Sequence, residues 1–329
     1  MHAAAAVPSF LRNPLTALAL AAAALAPGLA AAADASVAVT TIVEHPALDA
    51  TRDGVRDELK AAGYEPGKNL KFEYQSAQGN TGTAAQIARK FVGERPSVIV
   101  PIATPSAQAV IAATRDIPVV YSAVTDPVAA RLVKGWGASG TNVTGVSDLA
   151  PVEKHLELIK KIVPNAKRLG VIYSPGEANS VAIVAALKKA AGPAGLTIVE
   201  APAARTVDVV SAAQSLVGKA DVVYTPTDNN VISAFEGIAK VAQQARLPVV
   251  AGDTDTVKRG AVAALGLNYY DLGRQTGKIV VRILKGEKPG AIASQVSDTF
   301  ELHVNPDAAR KQGVTLSDAL IKSAKVVVQ

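Results

Sequence analysis

The stretch KFVGERPSVIVPIATPSAQA, Lys90 to Ala109, carries in miniature the pattern of the whole chain. The helical pattern of Asn80 to Glu94 ends inside it. Ser97 to Ile102 follows as a short apolar run without polar alternation, as a strand covered on both faces requires. Ala103-Thr104-Pro105-Ser106 then forms a small polar cluster, and Pro105 to Ala113 resumes helical periodicity. Helix, buried strand, polar cluster and helix together make the unit of a parallel α/β sheet.

The same unit recurs on either side. Strands are expected at Ser36–Val43, Leu70–Tyr74, Pro118–Val124, Arg168–Tyr173, Thr197–Glu200, Asp221–Tyr224 and Pro248–Ala251. Helices are expected at Ala47–Ala62, Pro151–Ile162, Ala178–Ala191, Val207–Lys219 and Asn229–Ala245, with Gly63, Gly192 and Gly195 placed where helices should end. Such alternation implies parallel sheets with right-handed crossovers. The strands fall into two similar halves. Asn142–Asp148 (NVTGVSD), Ala264–Asn268 and Ser294–Phe300 read as crossings between them, with the helix Tyr270–Lys285 returning to the first half. The expected fold is therefore α/β, with two doubly wound parallel-sheet lobes joined by a multi-strand hinge. Residues 34–144 plus 269–293 would form the N-terminal lobe, and 145–268 plus 294–329 the C-terminal lobe. A single continuous doubly wound sheet is the competing arrangement.

The first 33 of the 329 residues hold one basic residue, Arg12, no acidic residue, an apolar run from Leu15 to Leu25, a Pro27-Gly28 break and the small residues Ala30–Ala33. This is the pattern of a secretory signal peptide cleaved after about Ala33, and its apolar run is too short for the ~20 residues of a membrane span. Cysteine is absent. A disulfide framework, a thiolate metal site, a cysteine nucleophile and a lipid-bearing Cys at the cleavage site are thereby excluded. The expectation is a periplasmic protein that is not a lipoprotein. Losing Arg12 lowers the net charge from +6 to +5. The charges are spread along helix faces without a basic patch, so nucleic acid is not an expected partner.

In an open parallel sheet, ligands bind beyond the carboxyl ends of the strands. Those ends carry Glu44-His45-Pro46, Ala103-Thr104-Pro105-Ser106 and Thr125-Asp126-Pro127 in the first half. In the second half they carry Ser174-Pro175-Gly176-Glu177-Ala178-Asn179-Ser180, Thr225-Pro226-Thr227-Asp228-Asn229 and Gly252-Asp253-Thr254-Asp255. Taken singly, each cluster is a good helix N-cap. Together they line one cleft. Helix-start N–H groups with the hydroxyls of Thr104 and Ser106, and with Asn179 and Ser180, favour a carboxylate. Asp126, Asp228 and Asp253 suit an ammonium group. A zwitterion such as an amino acid needs both. A neutral sugar accepts Asp and Asn contacts but usually wants an aromatic face. Tyr121, Tyr173 and Tyr224 lie at strand ends but are expected to pack in the core, and Trp136 sits in a Gly-rich loop.

At these residues the chain resembles a known family. EHPALD (Glu44–Asp49), KFVGERPSVIVPIATPSAQA, AVTDPV (Ala123–Val128) and NVTGVSD are similar to the ABC transporter substrate-binding proteins related to tryptophan- and tyrosine-associated import systems. So are GVIYSPGEANS (Gly170–Ser180), YTPTDN (Tyr224–Asn229) and AGDTDTVKRGA (Ala251–Ala261). The resemblance covers nearly the whole chain after residue 33 and implies a type I periplasmic-binding fold whose lobes close on a small solute. It assigns Glu44 and His45 to the first cleft loop, and Thr104, Ser106 and Asp126 to the first lobe's ligand shell. Asn179, Asp228 and Asp253 fall to the second lobe. Thr125, Ser180 and Asn229 complete the candidate ligand-binding set. The partners implied are a small-molecule ligand and the permease subunits of an inner-membrane ABC importer, with the chain acting as a monomer. Many members carry a lipid-bearing Cys after the signal, and this chain departs from them.

An enzyme is not expected. The chain has four His residues, and no metal-spaced His pair, phosphate loop or GxSxG elbow appears. No metal and no cofactor is expected either. The effector domain of a transcriptional repressor shares the architecture but would begin with a helix-turn-helix. A ligand-sensing ectodomain serving a membrane receptor is an alternative the residues leave open.

Overall fold

The computed structural model describes residues 1–2 and 35–328. The expected signal peptide and its cleavage site lie outside the described residues. The first part of the chain runs β1 (Ala35–Thr41), α1 (Pro46–Ala61), β2 (Leu70–Ser76), α2 (Thr81–Glu94), β3 (Val98–Ile102), α3 (Thr104–Ala113), β4 (Val119–Tyr121) and β5 (Val143–Ser147). The second part runs α4 (Val152–Ile162), β6 (Arg168–Tyr173), α5 (Ala178–Ala191), β7 (Thr197–Pro202), α6 (Val209–Ser215), β8 (Val222–Thr225), α7 (Asn229–Ser233), α8 (Phe235–Ala245), β9 (Val249–Ala251) and β10 (Ala263–Leu267). The chain closes with α9 (Tyr269–Leu284), β11 (Gln295–Val296), β12 (Phe300–Val304), α10 (Pro306–Lys311), α11 (Asp318–Ser323) and β13 (Val326–Val327).

Two sheets form, in the orders β11-β5-β4-β3-β1-β2 and β13-β12-β10-β9-β8-β6-β7. The continuous single sheet is thereby ruled out. Every pairing in the first sheet is parallel, and in the second only β10–β12 is antiparallel. Each sheet carries the same doubly wound succession, with its first strand between its second and third. This places one topological switch point in each lobe, after β1 and β3 and after β6 and β8. The strands are fully apolar where covered on both faces: Val98 to Val100 and Ile102 in β3 are almost completely buried.

The chain changes sheet between β5 and α4, between β10 and α9, and between β11 and β12. β5 and β11 both belong to the first sheet, so residues 145–147 and 295–296 pair there. These crossings fall about three residues beyond the 144/145 and 293/294 divisions drawn from the sequence. The helix expected over Asn229–Ala245 is interrupted at Ala234, where the N–H turns back to Val231 O and Phe235 enters the core.

α9 is held on the first lobe by glycine. A Cβ at Gly54 would overlap Tyr270 O, and one at Gly273 would overlap Thr51 O, so α1 and α9 meet backbone to backbone. This contact carries the first residue of α9, Tyr269, into the space between the lobes.

Candidate functional site

A small cavity of about 20 Å³, room for about one water molecule, lies between the two sheets. Both switch points open into it. His45, Leu48, Ala103, Thr104, Ala123 and Thr125 line it from the first lobe, with Asp148 and Tyr269 at the crossings. Asn179, Thr227, Asp228, Asn229, Ile232 and Asp253 line it from the second. Ala178 at the start of α5 packs against the first-lobe core, so the lobes touch across the cavity.

Three helices begin at this cavity without a side-chain cap: α1 after His45, α3 after Ala103 and α5 after Glu177. Their first-turn N–H groups keep the partial positive charge of a helix N-terminus. Several polar atoms here are buried without any protein partner, namely His45 Nδ1, Thr104 Oγ1, Ser106 Oγ, Asn179 Oδ1 and Thr227 Oγ1. Each such atom costs about 1–3 kcal/mol if nothing pairs with it. The backbone is strained at the same place. Ala103 has φ 72° and ψ 154°, and Ala123 has φ 52°, in regions an L-residue rarely adopts.

The carboxylates divide by their partners. Asp228 accepts hydrogen bonds from Ser174 N, Ser174 Oγ, Ser180 Oγ and Val231 N, and so caps α7 and ties three loops together. Burial nevertheless pushes its carboxyl up. Glu177 accepts from Asn179 and Asn229, and burial, reinforced by Asp228, pushes it up to about 7. Asp253 accepts at Oδ1 from Asp255 N at 2.8 Å, and burial, with Asp255 beside it, pushes it up to about 7. Asp148 accepts from Thr125 Oγ1 and Tyr269 Oη, each at 2.9 Å, and burial pushes it up as well. Burial and the Arg259 guanidinium, opposed by the Asn229 amide, push His45 down to about 3. The imidazole is therefore neutral at pH 7.

Of the candidates from the sequence, His45, Thr104, Thr125, Asn179, Asp228, Asn229 and Asp253 meet at the cavity. Four stand back from it. Glu44 accepts from Tyr74 Oη and Gln78 Nε2 on the outer surface. Ser106 is fully buried and does not line the cavity. Asp126 accepts from Val128 N and Ala129 N, capping its own turn. Ser180 is committed to Asp228. Asp148, Tyr269 and Thr227 were missed. Asp148 ends the quoted crossing NVTGVSD, and Thr227 lies in a quoted loop, so position alone pointed near them. Nothing local marks Tyr269. Tyr121 and Tyr224 are core residues, while Tyr173 donates to Glu200 near the surface. No His, Cys, Asp or Glu group among the described residues is arranged to hold a metal ion.

The chain belongs to the ABC transporter substrate-binding protein family, whose model matches residues 36–328. That family binds solutes and is not an enzyme family. A tyrosine-binding protein of Clostridioides difficile is 39% identical over 275 residues, covering 84% of this chain and 80% of the relative. The ABC domain in complex with L-Trp from Streptococcus pneumonia is 34% identical, with TM-score 0.87 over 90% of this chain and 100% of that one. The ligand-free, open structure of a substrate-binding protein with adhesive properties from Clostridium difficile is 41% identical. Its TM-score is 0.69 over 90% of this chain and 99% of that one. A myo-inositol-bound solute-binding protein from Bacillus halodurans, at 16% identity and TM-score 0.61, shares the type I fold alone, over 83% of this chain and 95% of that one. No helix among the described residues is long and apolar enough to cross a membrane.

Proposed function

We propose that the chain is the periplasmic solute-binding component of an ABC importer, and that it captures an amino acid by closing two lobes around it. The observation that carries this reading is the ring of buried, unpartnered polar atoms drawn from both lobes: His45 Nδ1 and Thr104 Oγ1 on one side, Asn179 Oδ1 and Thr227 Oγ1 on the other. A ligand that satisfies both sets at once binds the closed state better and shifts the population toward it.

The uncapped first turn of α3, with the Thr104 hydroxyl, suits the ligand carboxylate. Leu48 and Ile232 offer apolar walls for a side chain. An aromatic cargo, tyrosine or tryptophan, accords with the tyrosine-binding relative and the L-Trp-bound neighbour. Hinge closure is supported by the two similarity scores. The chain superposes better on the L-Trp complex, at 0.87, than on the more identical open structure, at 0.69. The moving bodies are the two sheets with their helices, hinged at the three crossings. Export to the periplasm, and delivery to the permease by the closed form, complete the proposal.

The test is a thermal-shift and calorimetric screen of residues 34–329 against amino acids, sugars, purines and small organic acids. Native-state binding raises the melting temperature with ligand concentration. A rise with tyrosine or tryptophan supports the reading. A rise with a sugar alone, or with none of the panel on protein stripped of carried-over ligand, refutes it.

A further inference from the structure

Two carboxylates face the cavity from opposite lobes, and neither has a cation of its own. Asp148 stands at the end of β5 and is fastened to the first lobe by the Thr125 and Tyr269 hydroxyls. Asp253 stands after β9 on the second lobe. Its Oδ1 takes one backbone N–H, and no hydrogen bond among the described residues reaches its Oδ2. Both side chains are almost completely buried, and Asp148 is among the groups that raise the Asp253 carboxyl. The surrounding charge does not compensate. Asp255 is adjacent to Asp253, and Glu177 and Asp228 stand on the same lobe. The nearby guanidinium, Arg259, offsets this only in part: its Nε and Nη2 are held by both oxygens of Glu236, while its Nη1 is buried without a partner and its charge lowers the Asp253 carboxyl somewhat. His45 is neutral. Tyr269, whose hydroxyl touches Asp148, is itself pushed up by burial and by the Asp148 and Asp253 carboxylates. The same cavity is bordered by Asn179 Oδ1 and Thr104 Oγ1, both deeply buried and unpartnered, which marks it as a place for a ligand rather than a fortuitous acidic cluster.

We propose that Asp148 and Asp253 form a charge gate between the lobes: their repulsion across the cleft holds the empty protein open, and a ligand ammonium seated between them lets it close. The inference rests on the amino-acid reading for the identity of the ligand, but the gate itself is a property of the empty protein. Closing an empty cleft brings like charges together in a medium where water no longer screens them. A primary ammonium provides three donors and one positive charge, which suits two carboxylates with free acceptor capacity. The amine therefore acts as the licence for closure, and a carboxylate-bearing analogue without it leaves the gate unreleased.

The experiment has an empty arm and a ligand arm. In the empty arm, small-angle scattering measures the radius of gyration of stripped wild type, Asp148→Asn, Asp253→Asn and the double variant at pH 8, and of wild type at pH 5. The asparagines keep shape and remove charge, and acid favours protonation of Asp253 in the closed form, so each change should make the empty protein more compact. Variants as extended as wild type, or an empty wild type already as compact as the bound form, would overturn the gate. In the ligand arm, calorimetry compares L-tyrosine with 3-(4-hydroxyphenyl)propionate, which lacks the amine. The gate predicts about 10–100-fold weaker binding of the analogue, the range for one charged hydrogen-bond partner, and a similar loss for L-tyrosine on Asp148→Asn. Equal affinities would overturn it. Compact empty variants in a protein that binds no amino acid would refute the cargo reading and keep the gate.

Discussion

His155 sits in the core of the second lobe, and its protonation should make the protein acid-labile by a calculable amount. Its Nε2 lies 2.9 Å from Leu265 O, and its Nδ1 lies 2.5 Å from Tyr224 Oη. A carbonyl only accepts, so Nε2 carries the proton and Nδ1 accepts from the tyrosine hydroxyl. A second proton on the ring would set N–H against O–H and strand a cation in the apolar core. Burial accordingly pushes the imidazole down from 6.5 to about 4. The folded state prefers the neutral ring, so the stability it contributes is complete above pH 6.5 and is lost as pH falls toward 4. Between pH 8 and 4.5 the linkage relation gives a loss of about 2.5 kcal/mol. Glu177 and Asp253 act oppositely in the same window, because their raised carboxyls take up protons more readily folded than unfolded. The clean measurement is therefore a difference: urea unfolding of wild type and His155→Gln at pH 8, 6 and 4.5. The variant should be less stable at pH 8, and the gap should narrow by about 2.5 kcal/mol at pH 4.5. A gap that stays constant with pH would refute the assigned tautomer and the neutral buried ring.

Thr104→Val should weaken ligand binding by about tenfold while leaving thermal stability of the empty protein unchanged or higher, because it removes a buried hydroxyl without a partner. Asn179→Ala should weaken binding by a similar factor but lower stability by about 1–3 kcal/mol, because its Nδ2 donates to Glu177 and Thr227 O; calorimetry beside a melting curve reads both. Asp228→Ala should instead lower the melting temperature of the empty protein, by about 3 kcal/mol or more in stability, since it strands four donors from Ser174, Ser180 and Val231. Ala103→Gly should stabilise the empty protein by about 1 kcal/mol by relieving φ 72°, a gain reduced by the greater freedom of glycine in the unfolded chain. Gly273→Ala should destabilise by about 1–3 kcal/mol, because its Cβ must push α9 off Thr51 of α1; an unchanged melting temperature would contradict that packing.

The architecture is legible without coordinates because its signals are local. An apolar run such as Val98 to Ile102 states that both faces are covered, and the cluster after it states where a helix starts. Repeated through both halves, these signals determine the alternation, the two lobes and the six strand-end loops, and they bring seven of the proposed residues to the cavity. The second-lobe helix Asn229–Ala245 was less legible, since nothing apolar or polar in it marks the break at Ala234.

The sequence by itself determined which loops face the cleft; the tertiary structure alone decided which side chains in them remain free. That depends on competition among donors and acceptors distant in the chain. Asp228 and Asp253 look alike after their strands, yet Ser174, Ser180 and Val231 saturate one and leave an oxygen of the other open. Glu44 and His45 are neighbours, yet one turns to Tyr74 and Gln78 outside while the other ends in the cavity. Asp148 and Tyr269, far apart in sequence, meet only because glycine-to-backbone packing seats α9 against α1 on the first lobe. Burial then does the rest: the charges, hydroxyls and amides that define a binding site acquire their strength where water is excluded, and only the closed approach of two lobes excludes it here.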